Sequence, residues 1–152
     1  MKQLMLVDSE QNFRMSASYL LTQAGYQVTE AASAREALRM IFDHYRRGGR
    51  YDLVITELRL PWVPGETLLR QLRENLFRFP ILIITALPSA TTMQRIEKLH
   101  SLHLLVKPFS PKTFLQRIAD LTCTAAHDDV ISHSGDVVSK AAGLSEADPL
   151  VS

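Results

Sequence analysis

At 152 residues the chain is long enough to bury one core without outside help, and its single cysteine, Cys123, gives no material for a disulfide framework. Its 46% hydrophobic and 22% charged content is that of an ordinary globular domain. No apolar run nears the ~20 residues of a membrane helix, and Leu4 to Val7, followed at once by Asp8, is too short for a secretion signal. A cytoplasmic protein is expected.

The elements read in chain order as an alternation of two hydrophobic periods. Leu4 to Val7 is a short buried strand, and Phe13, Ala17, Leu20, Leu21 and Ala24 then recur at helical spacing. Gly25 closes that helix, and Tyr26 to Ala31 forms a second strand. Ser33 caps a second helix, with Glu36 placed three residues on to complete a capping box. Ala37, Leu38, Ile41, Phe42 and Tyr45 make its apolar stripe, and Gly48-Gly49 ends it. Leu53-Val54-Ile55 is a third strand. Pro61, Pro64 and Gly65 mark a loop, and Leu68, Leu69, Leu72 and Leu76 a third helix. Ile81 to Ile84 is a fourth strand. A fourth helix runs from about Ser89 to Ser101 with only Met93, Ile96 and Leu99 marking a face. Leu102 to Val106 is a fifth strand. Ser110 with Pro111 behind it starts a last helix lined by Phe114, Leu115, Ile118 and Leu121.

Five β-α units whose later strands are continuous apolar runs imply a parallel sheet covered on both faces. The leading fold is an α/β doubly wound five-stranded sheet of order 2-1-3-4-5, flavodoxin-like. Residues 1–122 form this domain, and residues 123–152 read as an acidic, flexible tail, with a small hairpin over 129–139 as the alternative. The charge divides the same way: a net of +5 before residue 123 and −4 after it. The basic excess includes Arg46, Arg47 and Arg50, then Arg70, Arg73 and Arg78. Solvated helix faces account for them better than a nucleic-acid patch.

In such a sheet, function sits outside the carboxyl ends of the strands, at the switch point between the first and third. Polar residues there are few: Asp8-Ser9-Glu10 after strand one, Glu57 after strand three, Thr85 after strand four and Lys107 after strand five. Two carboxylates, a hydroxyl and an ammonium therefore converge on one rim.

The stretches Leu6-Val7-Asp8-Ser9-Glu10, Asp52-Leu53-Val54-Ile55-Thr56-Glu57-Leu58-Arg59-Leu60-Pro61, Gly65, Ile84-Thr85-Ala86 and Val106-Lys107-Pro108-Phe109 carry a family signature. Over about residues 3–121 the chain resembles the receiver domain of two-component response regulators. The resemblance implies a phosphorelay signalling role rather than an enzyme. It implies a first metal-binding acid at Asp8, phosphoryl-binding groups at Thr85 and Lys107, a phosphate-accepting position at 57 and a cis bond before Pro108. Three positions depart from it. Ser9 stands where a second acid is usual, Glu57 where the acceptor aspartate is usual, and Leu104 where a switching aromatic is common.

Magnesium wants near-octahedral oxygen coordination, preferably from carboxylates, and Ser9 removes one. Glu57 carries its carboxylate on the order of 1.5 Å farther than aspartate would, while displacements of ~1 Å cost phosphoryl transfer about a hundredfold. The expectation is a pseudo-receiver that takes up phosphate poorly and binds no cofactor, with magnesium at Asp8 doubtful. Glu57 either reaches Thr85 and Lys107 to hold an active-like state or simply neutralises Lys107. The partner is expected to be a protein, a sensor kinase or another regulator. The contact face, including a homodimer, is expected along helix four, strand five and helix five, with Leu102, Leu104 and Leu105. The alternatives are a phosphate-responsive receiver with residual magnesium binding and a basic nucleic-acid-binding module. Trp62 reads as covering its own loop, His127 and His133 fit no zinc spacing, and no glycine-rich phosphate loop is present.

Overall fold

The computed structural model describes residues 1–60, 65–75, 77–86, 89–96 and 102–124. Trp62, Leu76, Leu99, His100 and the tail beyond residue 124, with its His127, His133 and hairpin reading, lie outside them. The elements are β1 (Gln3–Val7), α1 (Gln11–Gln23), β2 (Gln27–Ala31), α2 (Ala34–Arg46), β3 (Leu53–Glu57), α3 (Gly65–Glu74), β4 (Ile81–Thr85), α4 (Ala90–Ile96), β5 (Leu102–Val106) and α5 (Pro111–Thr124). All four strand pairings are parallel, in the order β2-β1-β3-β4-β5. The doubly wound sheet expected from the sequence is the one observed.

Side chains that alternate along each strand divide the core into two layers. Met5, Val7, Val54, Ile81, Ile83, Leu102 and Leu104 pack with α2 and α3, and Met93 of α4 rests against the same layer. Leu4, Leu6, Leu53, Ile55, Leu82, Ile84 and Leu105 pack with α1 and α5. Every residue of β3 and β4 is buried, which is why these strands show no polar alternation in sequence.

The helix ends follow local chemistry. Gly25 at φ +99° and Gly48 at φ +85° take the left-handed position just past the C-caps of α1 and α2, where a side chain would be strained. The Ser33 hydroxyl accepts from the Glu36 N–H at 3.1 Å. Glu36 Oε1 in turn accepts from Ala32 N–H at 2.7 Å, one residue before the cap rather than at it. Ser110 caps α5 through Thr113 N–H at 3.1 Å. A feature not anticipated is Glu10, whose carboxylate caps α1 by accepting from Phe13 N–H at 3.3 Å. The start of β3 is tied to β1 by Asp52, which accepts from Gln3 N–H through Oδ2 at 2.7 Å.

The expectation that Leu102, Leu104 and Leu105 belong to a contact surface is corrected here. They are 1%, 4% and 2% exposed, two in one core layer and one in the other. A continuous apolar strand between two helical layers presents neither face to solvent.

Candidate functional site

The strand register brings the expected groups together. Val7 lies opposite Thr56, Glu57 opposite Ile84, and Thr85 opposite Val106. β3 thus runs one residue past β1 and β4 one past β3, while β4 and β5 end level, and Asp8, Glu57, Thr85 and Lys107 line one rim. Asp8, Glu57 and Thr85 are buried, and the Lys107 side chain is 28% exposed. Ser9 is exposed. The Lys107–Pro108 peptide is cis, and Lys107 N–H donates to Thr85 O at 2.9 Å, extending the β4–β5 ladder to the site.

Glu57 is held at both oxygens. Oε1 accepts from Leu58 N–H at 2.8 Å and from Arg59 N–H at 3.3 Å. Oε2 accepts from Lys107 Nζ at 3.2 Å. Among the described residues the Thr85 hydroxyl is not one of its partners. The Lys107 ammonium also lies 3.7 Å from Asp8 Oδ2, while Asp8 Oδ1 accepts from Glu10 N–H at 2.8 Å. One cation therefore serves two buried carboxylates. Its apolar side is covered by Phe13, with Nζ 4.6 Å from the ring centroid. Phe13 in turn meets Phe109 and Phe114 edge-on.

Two supporting residues escaped the sequence reading. Arg14 donates from its guanidinium to Asp8 O at 2.7 Å and pairs with Glu30 at 3.2 Å, joining α1 to the ends of β1 and β2. Phe13 supplies the ring beneath Lys107. Their only signal was position: both fall in the first turn after the rim, where a parallel β-α unit folds its helix back over its own strand.

Burial raises the Asp8 carboxyl above its ordinary 3.8. The Glu10 N–H and Lys107 oppose that shift, and the charges of Glu57 and Glu10 add to it. A raised acid binds its proton more tightly when folded, so folding stability falls as pH rises from the ordinary value through the folded one. Asp8→Asn keeps the acceptor for Glu10 N–H and removes the buried charge. It is expected to stabilise the protein at neutral pH by on the order of 1 kcal/mol, about 3 °C in melting temperature. The gain should shrink toward zero as pH falls below the ordinary carboxylate value, which thermal melts across pH will check.

The comparisons with known proteins agree with this geometry. Residues 4–119 match the family model of the response regulator receiver domain. The response regulator ArlR of Staphylococcus aureus is 30% identical over 142 residues, covering 92% of this chain and 61% of that protein. The chain thus spans less than two thirds of the length of such curated relatives. Chemotaxis response regulator CheY4 of Vibrio cholerae is 29% identical with a TM-score of 0.66, over 80% of this chain and 98% of that one. Response regulator TrrA of Thermotoga maritima, solved in complex with Mg(2+)-BeF, is 26% identical with a TM-score of 0.65, over 80% of this chain and 99% of that one. Among the described residues no helix is long and apolar enough to cross a membrane. On its sheet order, its convergent rim and these matches, the chain belongs to the response regulator receiver domain family of two-component signalling.

Proposed function

We propose that the protein is a pseudo-receiver that signals by protein–protein contact without being phosphorylated, its rim closed from within by Glu57. The observation that carries this reading is the Glu57–Lys107 pair at 3.2 Å together with the two backbone N–H groups on the other Glu57 oxygen. Lys107, one of the two groups that would receive a phosphoryl oxygen, is already engaged with the carboxylate at the acceptor position. Glu57 stands where the family has its acceptor aspartate, and in-line attack tolerates little displacement.

Receiver domains bind Mg²⁺ at the phosphorylation site, and the residues here do not fit that ion. Ser9 gives no charge, Glu57 has both oxygens occupied, and the Lys107 ammonium lies between the carboxylates that would otherwise share a divalent cation. No step in the proposed function passes through a metal. Of the two roles for Glu57, neutralisation of Lys107 has the better support, since its carboxylate meets the ammonium and not the Thr85 hydroxyl. Leu104, held at 4% exposure in the core, also offers no aromatic ring to relay a change at Thr85.

The partner is proposed to be a sensor kinase or another regulator, held by the outer side of α5 and its neighbours. The buried leucines of β5 act there only as support, Arg117 reaching in to donate to Leu104 O at 3.0 Å. The test is labelling with radioactive acetyl phosphate in magnesium. The unaltered protein is expected to take up at least about a hundredfold less label than the Glu57→Asp, Ser9→Asp double variant. Equal labelling of the two would overturn the reading.

A further inference from the structure

The outer face of α2 carries a line of cations. Arg35, Arg39 and Arg46 stand on the side opposite the buried Ala37 and Ile41, within about 40° of one another around the helix axis. All three are exposed, and the line runs on through exposed Arg47 to Arg50, whose guanidinium lies 4.4 Å from the Tyr45 ring centroid. The acids of the helix do not balance it. Glu36 turns its carboxylate back to Ala32 N–H, and Asp43 pairs with Arg46. Arg35, Arg39 and Arg47 make no ion pair among the described residues. Like charges four residues apart, as Arg35 and Arg39 are, disfavour a helix, so the stripe gains from a neighbouring anion.

That anion is present in the same chain. Residues 125–152 hold Asp128, Asp129, Asp136, Glu146 and Asp148 against one lysine, Lys140. The end of α5 hands this segment off at the right end of the domain. The Thr122 hydroxyl lies 3.5 Å from that of Tyr26, just before β2. The last turn of α2 meets the residues before β3 and β4, with His44 4.6 Å from Tyr51 and Tyr45 5.1 Å from Phe77 between centroids. Both helices therefore end beside the starts of the strands. Extended chain from Thr124 brings Asp128 and Asp129 out by roughly 13–17 Å and Asp136 by about 40 Å, against ~17 Å from Arg35 to Arg46. Single exposed ion pairs are weak. Tethering offsets this, because a short connection holds the acids at an effective concentration in the millimolar range.

We infer that the acidic segment 125–152 docks along the outer face of α2, its carboxylates meeting Arg35, Arg39, Arg46 and Arg47, and covers that face against other anionic partners. The inference is independent of the reading of the Glu57 rim. Paramagnetic relaxation measured by NMR on the full chain tests it, with a nitroxide on Ser139→Cys in a Cys123→Ser background. Cys123 is exposed, and both exchanges leave the charge unaltered. At low salt the amides of α2 from Arg35 to Arg47 are expected to lose signal, while those of α1, on the other face of the sheet, keep it. At about 1 M salt, where the Debye length falls to about 3 Å, the α2 signals should return. Arg35→Glu with Arg39→Glu should abolish the loss. Lys112→Glu, a charge reversal at an exposed position of α5, should not. Circular dichroism confirms that each variant folds, and all of these positions are exposed. Four results would each overturn the inference: α2 signals kept at low salt, equal loss on α1, loss that persists at high salt or in the double variant, or loss that fades on dilution and so marks a contact between copies.

Discussion

Lys107→Ala is expected to destabilise the protein by about 2–3 kcal/mol at neutral pH. Among the described residues the side chain is the one cation that faces both rim carboxylates, at 3.2 Å from Glu57 and 3.7 Å from Asp8. Those carboxylates are only 11% and 4% exposed at the side chain, so removal leaves two like charges in a poorly solvated rim. Breaking a fully buried pair costs roughly 3–5 kcal/mol; the partial exposure of Lys107 argues for the lower figure. The signature is in the rescue. Adding Asp8→Asn to Lys107→Ala should recover about half of the loss, and acidification should recover a similar share as Asp8, whose proton burial holds more tightly, becomes neutral. Urea unfolding of the single and double variants checks both points. A loss that neither Asp8→Asn nor acid relieves would mean that Lys107 acts through packing on Phe13 instead.

Arg73→Ala is expected to cost about 2–4 kcal/mol, more than any other surface arginine. Its guanidinium donates to Phe77 O at 2.7 Å and to Phe79 O at 3.0 Å, fastening the end of α3 to the chain that enters β4. Burial and the nearby Arg78 charge lower its pKa to about 10, and it stays protonated at neutral pH. Truncation strands two carbonyls at roughly 1–3 kcal/mol for each buried unsatisfied group and removes a guanidinium that lies 6.0 Å from the Phe79 ring centroid. The sign with pH is fixed by that shift. A base with a lowered folded value loses stability as pH falls from its ordinary range down to about 10, so nothing changes near neutrality. Arg70→Ala, on the exposed side of the same helix, serves as the control, with a change within about 0.5 kcal/mol.

These expectations show where sequence reading succeeds and where it stops. Asp8, Glu57, Thr85 and Lys107 could be placed on one rim because a parallel β-α repeat leaves few topologies, and the polar residues at strand ends were few enough to stand out. The helix limits at Ser33, Gly48 and Ser110 were legible because caps are chosen by the local backbone. The orientation of the Glu57 carboxylate was not, since it depends on N–H groups of its own loop and on an ammonium 50 residues away. The fate of Leu102, Leu104 and Leu105 was misjudged for a related reason: a strand buried on both sides carries no mark of which side is covered by what. Arg73 looked like one more surface arginine until α3 was docked. Phe77 joins Tyr45, Arg50 and Tyr51 only once the chain before β4 meets the end of α2.

The departures at 9, 57 and 104 act together in the proposed account. Ser9 weakens a metal site, Glu57 carries its carboxylate from the acceptor position to the lysine, and Leu104 is packed into a buried core layer. A domain built this way offers partners one fixed surface. Its regulation would then lie in the amount of protein or in the partner.

The most direct measurement is an amide-resolved NMR titration of the unaltered protein with Mg²⁺ and beryllofluoride, the mixture carried by the Thermotoga maritima relative. The account predicts that the amides of Leu58, Arg59, Thr85 and Lys107 keep their positions throughout, while the Glu57→Asp, Ser9→Asp variant shifts saturably at the same residues. Saturable shifts in the unaltered protein would show that its rim still opens to a phosphoryl group, and would contradict the claim that Glu57 holds it closed.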